Sequence, residues 1–193
     1  MKDIREDMST RLLVLLFLLL SVASGGCDEE PIFPAGEAPC SAQAKVIIDE
    51  VIDGDTVELT FLDGERSGFT LRARLIGIDT PEIDHVNEDH DCFALPAWQE
   101  AIDVIDGREA YVTYDAECND DYGRLLVYLF RAEDGLFVNR HLIAEGFARA
   151  CPVSPNTAFI SEFESLEEEA VSQAIGRWAE PCNGGPECFQ GGS

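Results

Sequence analysis

Residues 45–78 read KVIIDEVIDGDTVELTFLDGERSGFTLRARLIGI and contain three runs rich in β-branched and other apolar residues. The runs cover 45–52, 56–62 and 69–78, and each break between them carries Asp-Gly, a pair that favours tight turns between strands. Three strands joined by two short turns form a meander. The sequence therefore predicts that the domain begins with three consecutive antiparallel strands.

The remainder of the chain alternates between helical and strand spacing. Apolar residues recur at helical spacing over three segments, 95–106, 138–145 and 157–175, whereas 109–115 and 124–131 are typical of strands. Helices thus follow the third and the fifth of five strands. This order predicts an α+β fold that is mainly a β barrel, namely a five-stranded OB-type barrel with three helices.

The N-terminus has the pattern of an export signal. An apolar run, 12–20, is too short to span a bilayer, which needs roughly 20 apolar residues, and small residues follow it up to Cys27. Translation from Met8 instead of Met1 would leave Arg11 as the only charge before that run. Ser24-Gly25-Gly26-Cys27 resembles a bacterial lipoprotein cleavage site, so we expect a cell-envelope lipoprotein anchored to a membrane through Cys27. The alternative is a secreted soluble protein in which Cys27 joins a disulfide.

The length and local composition favour one folded domain. A chain of 193 residues has room for a single core after its ends are removed. We expect a signal peptide over 1–26, a flexible tether rich in Pro, Gly and acidic residues over 27–43, the domain over 44–179 and a Gly-rich tail over 180–193.

The cysteine count indicates disulfides. Seven cysteines occur, and six remain when Cys27 is set aside. An even number in an exported chain favours three disulfides. Six cysteines allow 15 pairings, and Cys182 with Cys188, which flank a Gly-Gly-Pro turn, is one candidate pair.

The net charge limits how the protein can bind nucleic acid. A formal charge of -25 opposes tight non-specific binding to phosphate backbones. It does not exclude a catalyst that meets its substrate in one small site where a divalent cation and arginines reverse the local field.

Three short motifs carry residues suited to phosphate chemistry. Residues 52–57 read IDGDTV, a turn with two carboxylates. Residues 74–82 read RLIGIDTPE, a strand that supplies an arginine and ends in an acidic corner, where the proline bends the chain so that Asp79 and Glu82 can converge. Residues 121–124 read DYGR, a turn that places a second arginine at the start of a strand.

These motifs, together with 137–139, 144–149 and Trp178, resemble the staphylococcal nuclease (thermonuclease) family over about residues 44–178. The resemblance implies a calcium-dependent phosphodiesterase that hydrolyses DNA or RNA. It assigns Ca²⁺ binding to the carboxylates of Asp55 and Asp79 and the carbonyl of Thr80. The resemblance assigns catalysis to Arg74, Glu82 and Arg124.

 Every residue that the resemblance assigns to this activity is intact in the sequence.

The chemistry explains why these residue types are needed. Phosphodiester hydrolysis builds negative charge on the phosphate oxygens, which arginines and a hard cation stabilise. Calcium prefers oxygen ligands such as carboxylates and carbonyls. An ionised glutamate positions or deprotonates the attacking water. By resemblance the products would be 3′-phosphorylated fragments, and we expect a monomer that binds single-stranded nucleic acid weakly and with salt sensitivity.

The chain departs from the family in two respects, and three of its features allow alternative interpretations. The family has a pair of tyrosines in the nucleotide pocket where this chain reads ACPVSP over 150–155, and few basic residues flank the site. Tyr122 either stacks on a base or packs against the protein. The loop 84–92 is either a solvated acidic loop with Cys92 in a disulfide or a His, Asp and Cys metal site. For the whole chain, the alternative function is a non-catalytic envelope module that keeps the nuclease fold and binds a partner or an ion.

Overall fold

The computed structural model describes residues 30–36, 40, 43–185 and 188. The expected signal peptide, the lipidation site Cys27 and the end of the tail lie outside these residues and stay predictions, as do the domain bounds. Among the helices of the described part, none has the length and apolar character needed to cross a membrane.

The described chain contains seven strands, three α-helices and one short 3₁₀ helix at Gly176–Trp178. The helices are α1 (Ala94–Ile105), α2 (Val138–Ala144) and α3 (Ile160–Ser172). The strands are β1 (Ala44–Val51), β2 (Thr56–Phe61), β3 (Thr70–Leu75), β4 (Gly77–Asp79), β5 (Glu109–Thr113), β6 (Leu125–Arg131) and β7 (Arg149–Cys151).

Five of the strands close into a barrel in the order β1-β2-β3-β6-β5. The pair β3–β6 is parallel, with Ala73 opposite Leu125, and the other neighbours are antiparallel. Alternate apolar side chains fill the interior, including Ile48, Leu59 and Val127, which are fully buried. The predicted OB-type barrel with three helices is confirmed.

A buried asparagine fixes α2 against the barrel. The Asn139 Oδ1 atom accepts a hydrogen bond from the Leu129 amide at 3.0 Å, and its Nδ2 atom donates to the Ile76 carbonyl at 2.9 Å. Because a buried amide side chain is costly without partners, these bonds fix the position of α2. They also hold the chain where β3 ends and the acidic corner begins.

The segment 69–78, predicted as one strand, is two strands. Gly77 has φ of +78°, a left-handed conformation that ends β3, and a Cβ atom there would lie 2.8 Å from the ring of Phe163. β4 therefore leaves the barrel and pairs with β7, with Ile78 opposite Ala150. β7 was not predicted, because three residues are too few to show a period. The result is that Asp79 lies at the edge of the barrel.

Two disulfides join distant parts of the chain. They link Cys40 to Cys118 and Cys92 to Cys182. The candidate pairing of Cys182 with Cys188 is wrong, because Cys182 is bonded to a residue 90 positions away. The two cysteines left over, Cys151 and Cys188, are free thiols in this structure.

Residues 32–36, within the segment predicted as a flexible tether, pack on the barrel. The Phe33 ring stacks on Phe130 with centroids 4.6 Å apart. The Gly36 amide donates to the Tyr114 carbonyl at 2.9 Å, and the Thr113 hydroxyl donates to the Pro34 carbonyl at 2.8 Å. These bonds and the apolar contact explain why this part of the segment is ordered against β5 and β6.

Candidate active site

The turn between β1 and β2 is docked against the end of β4. The Asp55 amide donates to Asp53 Oδ1 at 3.0 Å, which shapes the turn. The Thr80 amide donates to Asp55 Oδ2 at 2.8 Å. Gly54 permits this approach, because a Cβ atom there would lie 2.7 Å from Thr80 Oγ1. Two segments distant in sequence thus place the three predicted cation ligands side by side.

Arg74 joins the two predicted calcium carboxylates. Its guanidinium forms an ion pair with Asp55 and another with Asp79, the latter at 2.9 Å from Nη2 to Oδ1. Asp55 is only 1% exposed and Asp79 only 6% exposed. The single positive charge of Arg74 therefore neutralises only part of the negative charge of the two buried carboxylates.

The composition of this corner suits a hard divalent cation. The Asp55 and Asp79 carboxylates are oxygen donors, and Asp53 and Glu82 add negative charge close enough to influence one another electrostatically. Oxygen-rich, net negative sites are those that calcium prefers. The residues present therefore fit such an ion, with Thr80 adjacent and held to Asp55.

A cleft of about 640 Å³ opens next to this corner. Its lining includes Arg74, Glu82, Tyr122 and Arg124. Asp55 and Asp79 are not part of that lining and lie behind Arg74 instead. The structure thus brings the predicted catalytic residues to one cleft, and Arg74 connects this cleft to the predicted cation ligands Asp55 and Asp79.

Glu82 lies at the mouth of the cleft. Its amide donates to Asp91 Oδ2 at 3.1 Å, and the Asp91 amide donates to the Glu82 carbonyl at 3.1 Å, so the loop holds its backbone. Although the residue as a whole is exposed, partial enclosure of its carboxyl group raises the pKa. The carboxylates of Asp53, Asp79 and Asp91 raise that pKa further, whereas Arg74 opposes the shift.

Arg124 is held by the turn that precedes it. Its Nε atom lies 2.6 Å from Asp120 Oδ2, and Asp120 Oδ1 accepts bonds from the amides of Tyr122 and Arg124 at 3.0 and 2.9 Å. The Arg124 guanidinium carbon lies 5.6 Å from the centre of the Tyr122 ring, a cation–π contact. Tyr122 is 77% exposed and lines the cleft, so its side chain is accessible to a ligand.

The cleft wall formed by residues 150–155 lacks the pair of tyrosines that the family has, as the sequence indicated. Cys151 and Val153 line the cleft there, together with Asn156. None of these side chains is aromatic, so this wall offers no ring for a base to stack on.

The alternative of a metal site in the loop 84–92 is wrong. Cys92 is bonded to Cys182 and therefore has no thiolate to offer. His90 accepts a hydrogen bond from the Asp84 amide at 3.1 Å, and His85 contacts the Ile52 carbonyl at 3.0 Å. Both histidines thus serve as internal partners of the loop.

Sequence reasoning missed Arg177. This residue is 1% exposed, and its Nη1 atom donates to the main-chain carbonyl of Asp79 at 3.0 Å. Its Nε and Nη2 atoms donate to the Gly184 carbonyl at 2.9 and 2.6 Å. Burial, together with the nearby Arg149 charge, lowers its pKa to about 10. No local pattern around Arg177 signals this role, because its partners are distant in sequence.

The closed five-stranded barrel with three helices is an OB-type α+β fold, and the cleft beside it holds two arginines and a glutamate. The chain belongs to the staphylococcal nuclease family: residues 72–180 match the family described as "Staphylococcal nuclease homologue".

Three relatives illustrate the range of the family. The chain is 32% identical over 136 residues to SPbeta prophage-derived endonuclease YokF of Bacillus subtilis, covering 69% of this chain and 44% of the relative. It is 31% identical over 136 residues to endonuclease YncB of the same organism, covering 69% and 61%. It is 30% identical over 132 residues to the thermonuclease of Staphylococcus intermedius, covering 68% and 74%. The chain thus spans less than two thirds of the two Bacillus proteins.

Proposed function

We propose that this protein is a calcium-dependent phosphodiesterase that hydrolyses DNA, RNA or both. The observation that carries the proposal is that Arg74, Glu82 and Arg124 line one cleft, and that Arg74 also pairs with the buried carboxylates of Asp55 and Asp79. The relatives named endonuclease and thermonuclease support the same class of reaction.

Glu82 acts on the attacking water. Its carboxylate at the mouth of the cleft accepts a proton from water or orients it, while the water oxygen forms a bond to phosphorus and the bond to the leaving oxygen breaks. A positioned general base contributes roughly 10² to 10⁴ in rate. The raised pKa of Glu82 favours this role, because it brings the basicity of the carboxylate closer to neutral pH.

Arg74 and Arg124 stabilise the charge that grows on the phosphate oxygens. Their guanidinium groups stay protonated and each can donate two parallel hydrogen bonds. When bound, calcium supplies further positive charge at Asp55, Asp79 and Thr80 and polarises the phosphate. Asp79 pairs with Arg74, and Asp120 pairs with Arg124. These ion pairs keep the guanidinium groups in place before a phosphate binds.

The cleft favours a weakly bound single strand. Tyr122 presents an exposed ring, which suits stacking with a base. Acidic side chains, including Glu117, Asp120 and Asp121, share the cleft lining and oppose a polyanion. We therefore expect weak, salt-sensitive binding of single-stranded DNA or RNA to a monomer. Export, with a lipid anchor on Cys27 or as a soluble secreted protein, belongs to the same proposal.

The direct test is digestion of single-stranded DNA and RNA by the purified mature protein. We expect cleavage with calcium, none with a chelator, and a large loss in Glu82→Gln. Glu133→Gln removes the same charge from an exposed ion pair with Arg108, outside the cleft, and should cleave like wild type. Equal inactivity of wild type and Glu82→Gln in calcium would contradict the proposal.

A non-catalytic binding module is the second candidate. The observation that favours it is that Arg74 and Arg124 already have aspartate partners in a protein of charge -25. On this alternative calcium would bind and raise the Tm, but no nucleic acid would be cut. Calorimetry with calcium, run beside the digestion assay, separates the two candidates.

A further inference from the structure

Cys151 and Cys188 lie next to each other and close to Asp79, one of the predicted cation ligands. Their sulfur atoms and a carboxylate oxygen of Asp79 all lie within 4.8 Å of one another. The Cys188 thiol also contacts the Ala150 carbonyl at 3.5 Å. Cys151 is buried in β7, opposite Gly77 of β4. The C-terminal segment thus returns to the strand pair that carries Asp79.

The other described cysteines are already paired. Cys40–Cys118 and Cys92–Cys182 have Cα atoms 5.9 and 5.5 Å apart, within the range typical of disulfides. Disulfides form and persist in oxidising compartments, so a chain that carries two of them is exposed to conditions that oxidise adjacent thiols.

We propose that Cys151 and Cys188 form a third disulfide, which links β7 to the C-terminal segment. The reaction is thiol–disulfide exchange with an external disulfide, such as oxidised glutathione or a disulfide oxidoreductase. One cysteine thiolate attacks a sulfur of the oxidant and releases a thiol. The second thiolate then attacks the mixed disulfide, forms the Cys151–Cys188 bond and releases a second thiol. Two electrons and two protons thus pass from the cysteines to the oxidant.

This bond would hold the C-terminal segment against Arg177, which is buried, and Arg149, which is partly buried. The Gly184 carbonyl accepts hydrogen bonds from Arg177 and, at 3.3 Å, from Arg149. Cys182 anchors the segment on one side of Gly184, and Cys188 would anchor it on the other. Because Arg177 also bonds the Asp79 carbonyl, holding this segment in place supports the backbone of a predicted cation ligand.

A metal site on Asp79, Cys151 and Cys188 is the competing interpretation. Thiolates and a carboxylate can bind zinc. However, Asp79 Oδ1 is already 2.9 Å from Arg74 Nη2, and the thiols would have to remain reduced in a chain with two disulfides. The geometry therefore favours the disulfide.

Peptide mapping of the full chain tests the proposal. Protein incubated with oxidised glutathione is alkylated without reduction, digested and analysed by mass spectrometry. We expect a cross-linked peptide that joins Cys151 to Cys188, and no alkylation of either residue. Alkylation of both would overturn the proposal. Protection without a cross-link that disappears on chelation would also overturn it and would indicate a metal site.

A double-mutant cycle tests the stabilising role. Cys151→Ser, Cys188→Ser and the double variant should each lower the Tm by a similar amount, roughly 5–15 °C, because either change removes the whole cross-link. Additive losses from the two single variants would instead show that the residues act separately. Cys182→Ser, which breaks a different disulfide, is the control and should leave the Cys151–Cys188 peptide detectable.

Discussion

Arg177 donates a hydrogen bond from Nη1 to the main-chain carbonyl of Asp79 at 3.0 Å, across 98 positions of sequence. The same guanidinium holds the Gly184 carbonyl, so one buried cation joins the C-terminal segment to the end of β4. Asp79 also pairs with Arg74 through its side chain. The carboxylate and the backbone of one residue are therefore fixed by two different arginines.

Arg177→Met should loosen this corner without touching the cleft. The Asp79 carbonyl loses its Arg177 donor, and a buried carbonyl without a donor costs about 1–3 kcal/mol, so we expect a lower free energy of unfolding and weaker calcium binding. Denaturant unfolding and calcium calorimetry measure the two effects. Arg108→Met removes an exposed arginine that pairs with Glu133 and should change neither. Unchanged calcium affinity in Arg177→Met would show that the bond to Asp79 is not needed for the site.

The barrel was predictable because its information is local. Period-two alternation and the Asp-Gly turns define β1 to β3, and the apolar spacing defines the helices. The site residues Arg74 and Glu82 belong to one short motif, so their proximity follows from the sequence between them. Family resemblance extended the prediction to Arg124.

Contacts that depend on the tertiary fold were not predictable. Cys92 and Cys182 are 90 positions apart, and nothing in either segment specifies the other. β7 is stabilised by pairing with β4, and Arg177 by carbonyl groups that only the folded chain brings to it. The break at Gly77 was missed because an isolated glycine within an apolar run is compatible with a continuous strand.

Arg74 should couple calcium binding to phosphate binding. The Arg74 guanidinium is paired with Asp55 and Asp79. Calcium would compete with the guanidinium for these two carboxylates. We expect calcium to raise the affinity for a nucleotide phosphate more in wild type than in Arg74→Ala. The variant should also lose roughly 10² to 10³ in kcat, with partial recovery in Arg74→Lys. Titration of a nucleotide with and without calcium tests this, and Arg108→Ala is the charge-matched control.

Gly54→Ala should separate Asp55 from Thr80, two of the predicted cation ligands. The new Cβ atom would meet Thr80 Oγ1 at 2.7 Å, so the turn and the end of β4 must move apart. We expect weaker calcium binding, measured by calorimetry. Gly64→Ala introduces strain at φ of +66° but meets no atom within 4 Å. It should lower stability and leave calcium affinity intact, and an equal loss of affinity in both variants would contradict the close-approach argument.

The pH dependence of cleavage should report the environment of Glu82. Only the ionised carboxylate accepts a proton, so activity falls as the pH drops through its pKa. Burial and the nearby carboxylates raise that pKa in the cation-free protein, whereas a cation bound beside Glu82 would lower it. Asp53→Asn removes one negative neighbour and should move the acid limb of kcat to lower pH. An unshifted limb in that variant would show that Asp53 does not act on Glu82.

Glu82→Gln should make the protein more stable at neutral pH while it abolishes activity. The pKa of Glu82 is raised in the folded state, so the fold binds a proton more tightly than the unfolded chain does. Stability therefore decreases as the pH rises from the unfolded pKa through the folded one, and at pH 7 the ionised carboxylate is a net cost. Glutamine removes that charge, so the Tm of Glu82→Gln should exceed that of wild type at pH 7 without calcium, and the difference should vanish below pH 4. A lower Tm of Glu82→Gln than of wild type at pH 7 would mean that the carboxylate stabilises the fold. That result would contradict the expectation that this charge serves catalysis at the expense of stability.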